Sequence, residues 1–349
     1  MDKKSRYVKT RDSFWDIVRG ILILCTVWGH SLGGWNFAAN DYLVPPESIH
    51  FKIWMILRAV TGCTVPVFIF LSGYMTGENS VRDVKLFLIR RFKRLVIPFV
   101  IWTILYSLIE FFCYHNPNVT LQSVLLGTNA VQLYYLIVMM QLTLLTPVFF
   151  KCKDQKRLLI ICILINIING MIHEIYYYHY REEMPYDMHL FTCFIAYYAL
   201  GLYMKKYGVE RIKKLSLWVC SGLVGITGII SVLSEYLRLR WIGNVLVSVS
   251  FNTNANLLYT FAVILWMFRI REKAEHWSVK WLEWCGRASM GIFLIHWVYE
   301  NDLKMWMTDH INIKYLMWCN PLLIIVTVLL CAGTILVYDQ IRRRIKIRK

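Results

Sequence analysis

Charge is what this sequence has least of. Only 17% of its 349 residues are Asp, Glu, Lys or Arg, against 57% hydrophobic residues, and its mean hydropathy is +0.46. That leaves too little polar surface to clothe a soluble globule of this size, so the lipid bilayer is read as the solvent. No stretch is left over for a soluble domain. No repeat, linker or low-complexity tract divides the chain either, and residues 1–349 read as one transmembrane domain. The ten cysteines form no C-x-x-C pair and mostly lie inside apolar runs, as at Cys25, Cys63, Cys162 and Cys220. They read as small packing residues, which argues against a disulfide frame or a metal site. A small-residue cleavage site is missing after the first apolar run, which also carries Asp16 and Arg19. That run is therefore expected to be a retained helix and not a signal peptide.

Apolar segments fill the chain instead. Runs such as Ile21–Leu32, Leu95–Tyr114, Leu133–Phe150, Leu215–Leu233 and Pro321–Val337, some extended by their neighbours, approach the roughly 18 residues a spanning helix needs. The pattern predicts an all-α bundle of about ten spans, at residues 14–35, 51–76, 95–114, 130–150, 157–175, 187–205, 215–235, 254–270, 288–301 and 317–338. A net charge of +17 would suit nucleic acid only if it formed one basic surface. The basic residues instead sit in short clusters between apolar runs. With the chain start placed in the cytoplasm, 31 of the 39 Lys and Arg fall in inner segments. Only Arg181, Arg238, Arg240, Lys304 and Lys314 fall in outer loops. This bias puts both termini in the cytoplasm and predicts a multi-pass protein of the cell membrane that meets lipid and no nucleic acid.

Polar groups inside hydrocarbon are costly unless they face protein or water, so each marks a candidate site. The first helix is densest in them. Asp16, Arg19 and His30 lie 3 and 11 residues apart, and at about 100° per residue an 11-residue step returns to within roughly 20° of its start. All three share a face, with His30 roughly 16 Å further across the membrane than Arg19. A polar stripe of this kind implies a buried, wet channel beside it. Histidine suits a general base there, because its ordinary pKa near 6.5 lets it take a proton at neutral pH; a bond to a neighbouring helix is the structural alternative.

Other polar groups are candidates of the same kind. Arg58 lies in the second span, where an unpaired charge would be expensive. Arg90, Arg91, Lys93 and Arg94 form a cluster suited either to phosphate or to anchoring on the inner face. His296 and Glu300 stand one turn apart on the ninth span. Tyr134, Tyr135 and Gln141 put polar tips on the fourth, and Asn166, Asn169 and His173 recur at helical spacing on the fifth. The outer segments Trp35–His50 and Tyr176–Asp187 are aromatic-rich, which suits sugar stacking and interfacial anchoring alike.

The stretch from Asp16 to Ser31, with its arginine and histidine 11 residues apart, resembles the opening helix of the acyltransferase-3 family of membrane acyltransferases. Val65–Tyr74 is similar to that family's second-helix ending, and Arg90–Pro98 to its basic third-helix start. Met290–His296 is similar to its late helix motif. The four stretches follow the family's order over nearly the whole chain. The resemblance implies transfer of an acyl group, usually acetyl from acetyl-CoA as co-substrate with no tightly bound cofactor, onto a hydroxyl of a cell-surface glycan or lipid-linked saccharide. It implies His30 as the base, Arg19 and Asp16 as its polar stripe, and the arginine cluster Arg90, Arg91 and Arg94 near the donor's phosphates. Arg58, Tyr134, His296 and Glu300 would belong to the binding machinery. Ser72 and Gly73 resemble family landmarks, with close helix packing as the alternative. Phe293 stands where the late motif has tyrosine, and the soluble extension that some members carry is expected to be absent. A transporter or flippase of a lipid-linked saccharide is the main rival, since a polar stripe through a bundle suits that work too; a non-catalytic assembly partner is a third reading.

Overall fold

The computed structural model describes residues 12–33, 49–113, 115, 120–180, 182, 184–242, 252–274, 277–311 and 313–347. The aromatic segment expected over Trp35–His50 lies almost wholly outside the described residues, as do 181 and 183 of the second such segment and 243–251 before the eighth span. Among the described residues the chain is all helix, without strands.

Helix α1 (Ser13–Gly33) starts where the Asp12 carboxylate accepts the Phe14 amide at 3.2 Å. The second span is broken into α2 (Ile49–Thr61) and α3 (Thr64–Tyr74). Pro66 sits in the first turn of α3, where its missing N–H would have had no intrahelical partner. The carbonyl of Gly62 in the break accepts the Asn256 side-chain amide at 3.2 Å, which supplies the partner that backbone needs at this depth. After the short α4 (Glu78–Val81), α5 (Val84–Phe112) begins under an Asp83 cap on the Leu86 amide at 2.9 Å. It starts eleven residues earlier than the apolar run that predicted it, because Lys and Arg are good helix formers and Asp83 provides the cap. The basic cluster is thus part of the helix itself.

α6 (Leu121–Leu126) is closed at its start by reciprocal Thr120 and Ser123 bonds and at its end by Gly127, whose φ of 63° favours glycine. α7 (Tyr134–Lys151) and α8 (Gln155–Tyr180) follow. Residues 187–193, expected inside the sixth span, form two 3-10 turns around Asp187 (Asp187–His189 and Phe191–Cys193), so α9 is only Ile195–Tyr207. The remaining helices are α10 (Glu210–Lys213), α11 (Leu217–Ile242), α12 (Asn254–Lys273), α13 (Lys280–Arg287), α14 (Ser289–His310) and α15 (Ile313–Ile347). The reach of α14 to His310 corrects the ninth span's expected end at 301 and moves Lys304 from an outer loop into a helix; Arg238 likewise lies inside α11.

Six helices among the described residues are long and apolar enough to cross a membrane: Met55–Tyr74, Val84–Phe112, Val131–Lys151, Gln155–Tyr180, Leu217–Arg238 and Trp318–Arg344. α1, α9, α12 and α14 fall outside that set. α9 has 13 residues, and the other three carry polar groups such as Asp16, Asn256 and Glu300. The pattern follows shielding. Leu217–Arg238 and Trp318–Arg344 are only 11% and 17% buried within the protein, with mean hydropathies of 1.9 and 2.5, and the charged Glu235 and Arg238 at the end of the first are buried. In α1 and α9, by contrast, Trp15, Ile17, Ile23, Val27 and all of Ile195–Ala199 are buried. A helix shielded by neighbours can carry polar side chains; one facing lipid cannot.

Two backbone crossings set this shielded core. Gly20 lies against the Leu282 carbonyl and Gly286 against that of Asp16, which locks α13 across the N-terminal half of α1. Gly73 and Gly201 do the same for α3 and α9, against Tyr198 and Phe70. A methyl group at any of the four would overlap a facing carbonyl oxygen, so Gly73 serves close packing.

Candidate functional site

The stripe on α1 is oriented as its spacing requires. Near the helix start Asp16 is buried, and its carboxylate accepts the Arg19 guanidinium at 3.1 Å, while Arg19 stays a quarter exposed. Gly286 presses on the Asp16 backbone and fixes the height of the pair. At the other end His30 lines a cavity of about 80 Å³ with Cys25, Thr26, Gly29, Arg58, Thr61, Gly62, Thr64, Val65 and Tyr134. That volume has room for several waters, and Thr26, Arg58, Thr61, Thr64 and Tyr134 belong to its otherwise mostly apolar wall. Arg58 reaches this space because α2 is interrupted at Gly62, and it also lies within electrostatic reach of His30 and Glu235.

Between the two ends the wall is apolar. A smaller cavity of about 50 Å³ is lined by Ile23, Val65, Phe68, Tyr135, Ser289, Met290 and Phe293, and Val65 borders both spaces. Tyr135 links the apolar waist to the Arg19 end of α1, since its hydroxyl lies near Ser72 and within electrostatic reach of Arg91 and Arg19. The cavity at His30, the apolar waist and the Asp16–Arg19 pair therefore follow one another along α1.

Helix α14 holds His30 in place. The His30 ring stands 5.3 Å from the His296 ring and 5.6 Å from Trp297, the latter edge-on. One and two turns beyond His296, Glu300 and Lys304 form a buried ion pair at 2.8 Å, and Lys304 Nζ donates to the His30 carbonyl at 2.7 Å. Glu300 thus pairs with Lys304, while the His296 Nδ1 bonds the carbonyls of Ile292 and Phe293 at 3.1 and 2.8 Å. Lys304 was missed as a site residue from sequence. The spacing 296, 300, 304 was the available signal, masked by assigning Lys304 to a loop.

The basic cluster divides by helix face. Arg91 is half-buried, donates to Thr76 Oγ1 at 2.5 Å and rests over the Phe87 ring, whereas Arg90, Lys93 and Arg94 are exposed. The structure brings together Asp16 with Arg19, His30 with Arg58, Tyr134 and His296, and Arg91 with the Arg19 end of α1 near Tyr135. It does not bring Arg90 or Arg94 to the passage.

Gln141, noted for its polar tip, bonds the His189 carbonyl at 2.8 Å and the Phe191 amide at 2.9 Å, joining α7 to the 3-10 turns. A second polar cluster surrounds His173. Its Nδ1 lies 2.9 Å from Asp187 Oδ2, and its Nε2 lies 3.5 Å from Arg238, which also pairs with Glu174 and Glu235 at 3.4 Å each. The Asn252 and Asn169 amides donate to the Asp187 carboxylate at 2.5 and 3.3 Å. The helical spacing of Asn166, Asn169 and His173 pointed to interhelical bonding, and Asn169 and His173 make it.

Compared with known protein families, residues 12–338 match the acyltransferase-3 model, described as an acyltransferase domain. Searches of curated proteins and of solved structures find no match.

Proposed function

This chain belongs to the acyltransferase-3 family and is a membrane acyltransferase; on that premise we propose that it moves an acetyl group from cytoplasmic acetyl-CoA to a hydroxyl of a cell-surface sugar or polysaccharide. The proposal includes ten crossings of the cell membrane with both termini inside, counting the shielded helices α1, α9, α12 and α14 with the six apolar ones. The observation that carries it is the order of chambers along α1. A cationic inner end with Arg19 and Arg91 suits the phosphates of the donor, because guanidinium groups bind phosphate oxygens in bidentate fashion. The narrow apolar waist suits the thin chain that bears the thioester, and the wet outer chamber suits the acceptor hydroxyl.

In the reaction His30 takes the proton of the acceptor hydroxyl as that oxygen attacks the thioester carbonyl carbon. A C–O bond forms, the C–S bond breaks, and the departing thiolate takes up a proton to leave as free CoA thiol. Arg58, lining the same chamber, offers positive charge to the oxygen that becomes negative in between. The test is mass spectrometry of surface glycans from cells expressing the native chain or His30→Ala. The native chain should add an acetyl mass that His30→Ala does not; equal acetylation by both would contradict the proposal.

A further inference from the structure

His296 is wholly buried, and its Nδ1 lies within bonding distance of two carbonyl oxygens, 3.1 Å from Ile292 and 2.8 Å from Phe293. Carbonyl oxygens only accept, so Nδ1 carries the ring proton and Nε2 of the neutral ring is left with its lone pair. That nitrogen is buried without a hydrogen-bond partner, and a buried acceptor left empty is destabilising. A group kept in that condition inside a packed helix pair calls for an explanation.

The nearest aromatic nitrogen ring is that of His30, with centroids 5.3 Å apart and planes tilted by 39°. Two imidazoles joined by an N–H···N bond of about 3 Å have centroids roughly 5 Å apart, so a small rotation of either ring completes the bond. The neighbouring residue Trp297 closes on the His30 ring from its edge, and Lys304 two turns on from His296 holds the His30 carbonyl. α14 therefore meets His30 at three points, and His296 is the one of the three with an unpartnered acceptor nitrogen.

We propose that His296 is the positioning residue of the candidate base: its Nε2 accepts a ring N–H of His30 and so holds the lone pair of the other His30 nitrogen toward the outer chamber. A base that must take a proton from a hydroxyl works only in one tautomer and one orientation. A fixed acceptor behind it selects both. His296 lines neither cavity and touches no substrate in this role; it acts through His30. The role rests on the acyl-transfer reading above.

The test compares His296→Leu, which removes the acceptor, with His296→Gln, whose side-chain carbonyl can restore it. Turnover is followed with [1-14C]acetyl-CoA in membrane vesicles from the expressing cells. His296→Leu is expected to lower kcat about 10- to 100-fold with KM for acetyl-CoA within twofold of native, and His296→Gln to recover to within about fivefold. Wild-type kcat in His296→Leu would overturn the inference, as would an equal loss in both variants accompanied by an equal fall in Tm. Nitrogen NMR of ring-15N-histidine protein provides a readout that needs no turnover, with His30 identified by difference from His30→Gln. The native chain should show one His30 tautomer and His296→Leu a mixture; identical populations would overturn the inference. Absence of labelled product from the native chain would remove the transfer reading, and the nitrogen signals would still decide the role of His296.

Discussion

Two buried clusters of this protein contain the same chemical types and use them in opposite ways. Around His173, each ring nitrogen faces a partner, and Arg238 is shared among His173, Glu174, Glu235 and the face of Tyr177. Around His30, the imidazole lines a cavity with Arg58 and Tyr134 on its walls, and the Nε2 of the next imidazole has no hydrogen-bond partner. A network of ion pairs and hydrogen bonds holds helices α8 and α11 to the turns before α9. The other sets its imidazole on the wall of a cavity. The composition of the two clusters does not distinguish them; the partners do.

The sharpest way to break this comparison is to delete each imidazole or guanidinium and ask whether chemistry or stability suffers. His30→Ala should lower acyl transfer by roughly 10²–10⁴-fold, the usual share of a general base, while the protein remains folded as judged by Tm and gel filtration. Arg238→Ala should do the reverse. Removing the cation that two carboxylates share should cost about 3–5 kcal/mol of stability, seen as a large fall in Tm, while turnover per folded molecule stays near native. Comparable activity losses in both variants would erase the distinction.

Gly286→Ala probes how the His30 cluster is held. Its new methyl must push the Asp16 backbone away, so about 1–3 kcal/mol of stability should go together with part of the turnover, because the Asp16–Arg19 pair moves with it. A smaller effect separates neighbours in the basic cluster. Arg91→Gln should raise KM for acetyl-CoA several-fold, while Arg90→Gln, on the exposed face, should change it less than twofold. Equal KM values would mean that the cluster only anchors the chain.

Much of this was legible in sequence, and the rest was hidden for identifiable reasons. Lipid-facing helices such as α15 announce themselves because their environment admits little but hydrocarbon. The stripe Asp16, Arg19 and His30 could be read because all its members lie on one helix, where spacing determines direction. The break at Gly62 was not visible, since its cost is offset by Asn256 from a helix 194 residues away. The grip of Lys304 on His30 spans 274 residues, and the Arg238–His173 contact spans 65. Linear patterns report what a residue is and which face it takes. They do not report what stands opposite, and here that decides which imidazole is structural and which is available for chemistry.

The most direct measurement is the initial rate of label transfer from [1-14C]acetyl-CoA in vesicles bearing equal amounts of folded native chain, His30→Ala or His173→Ala. The account predicts that His30→Ala loses at least about a hundredfold in rate, while His173→Ala, per folded molecule, stays within a few-fold of native. Transfer by His30→Ala at the native rate, or an equal loss in His173→Ala, would contradict it.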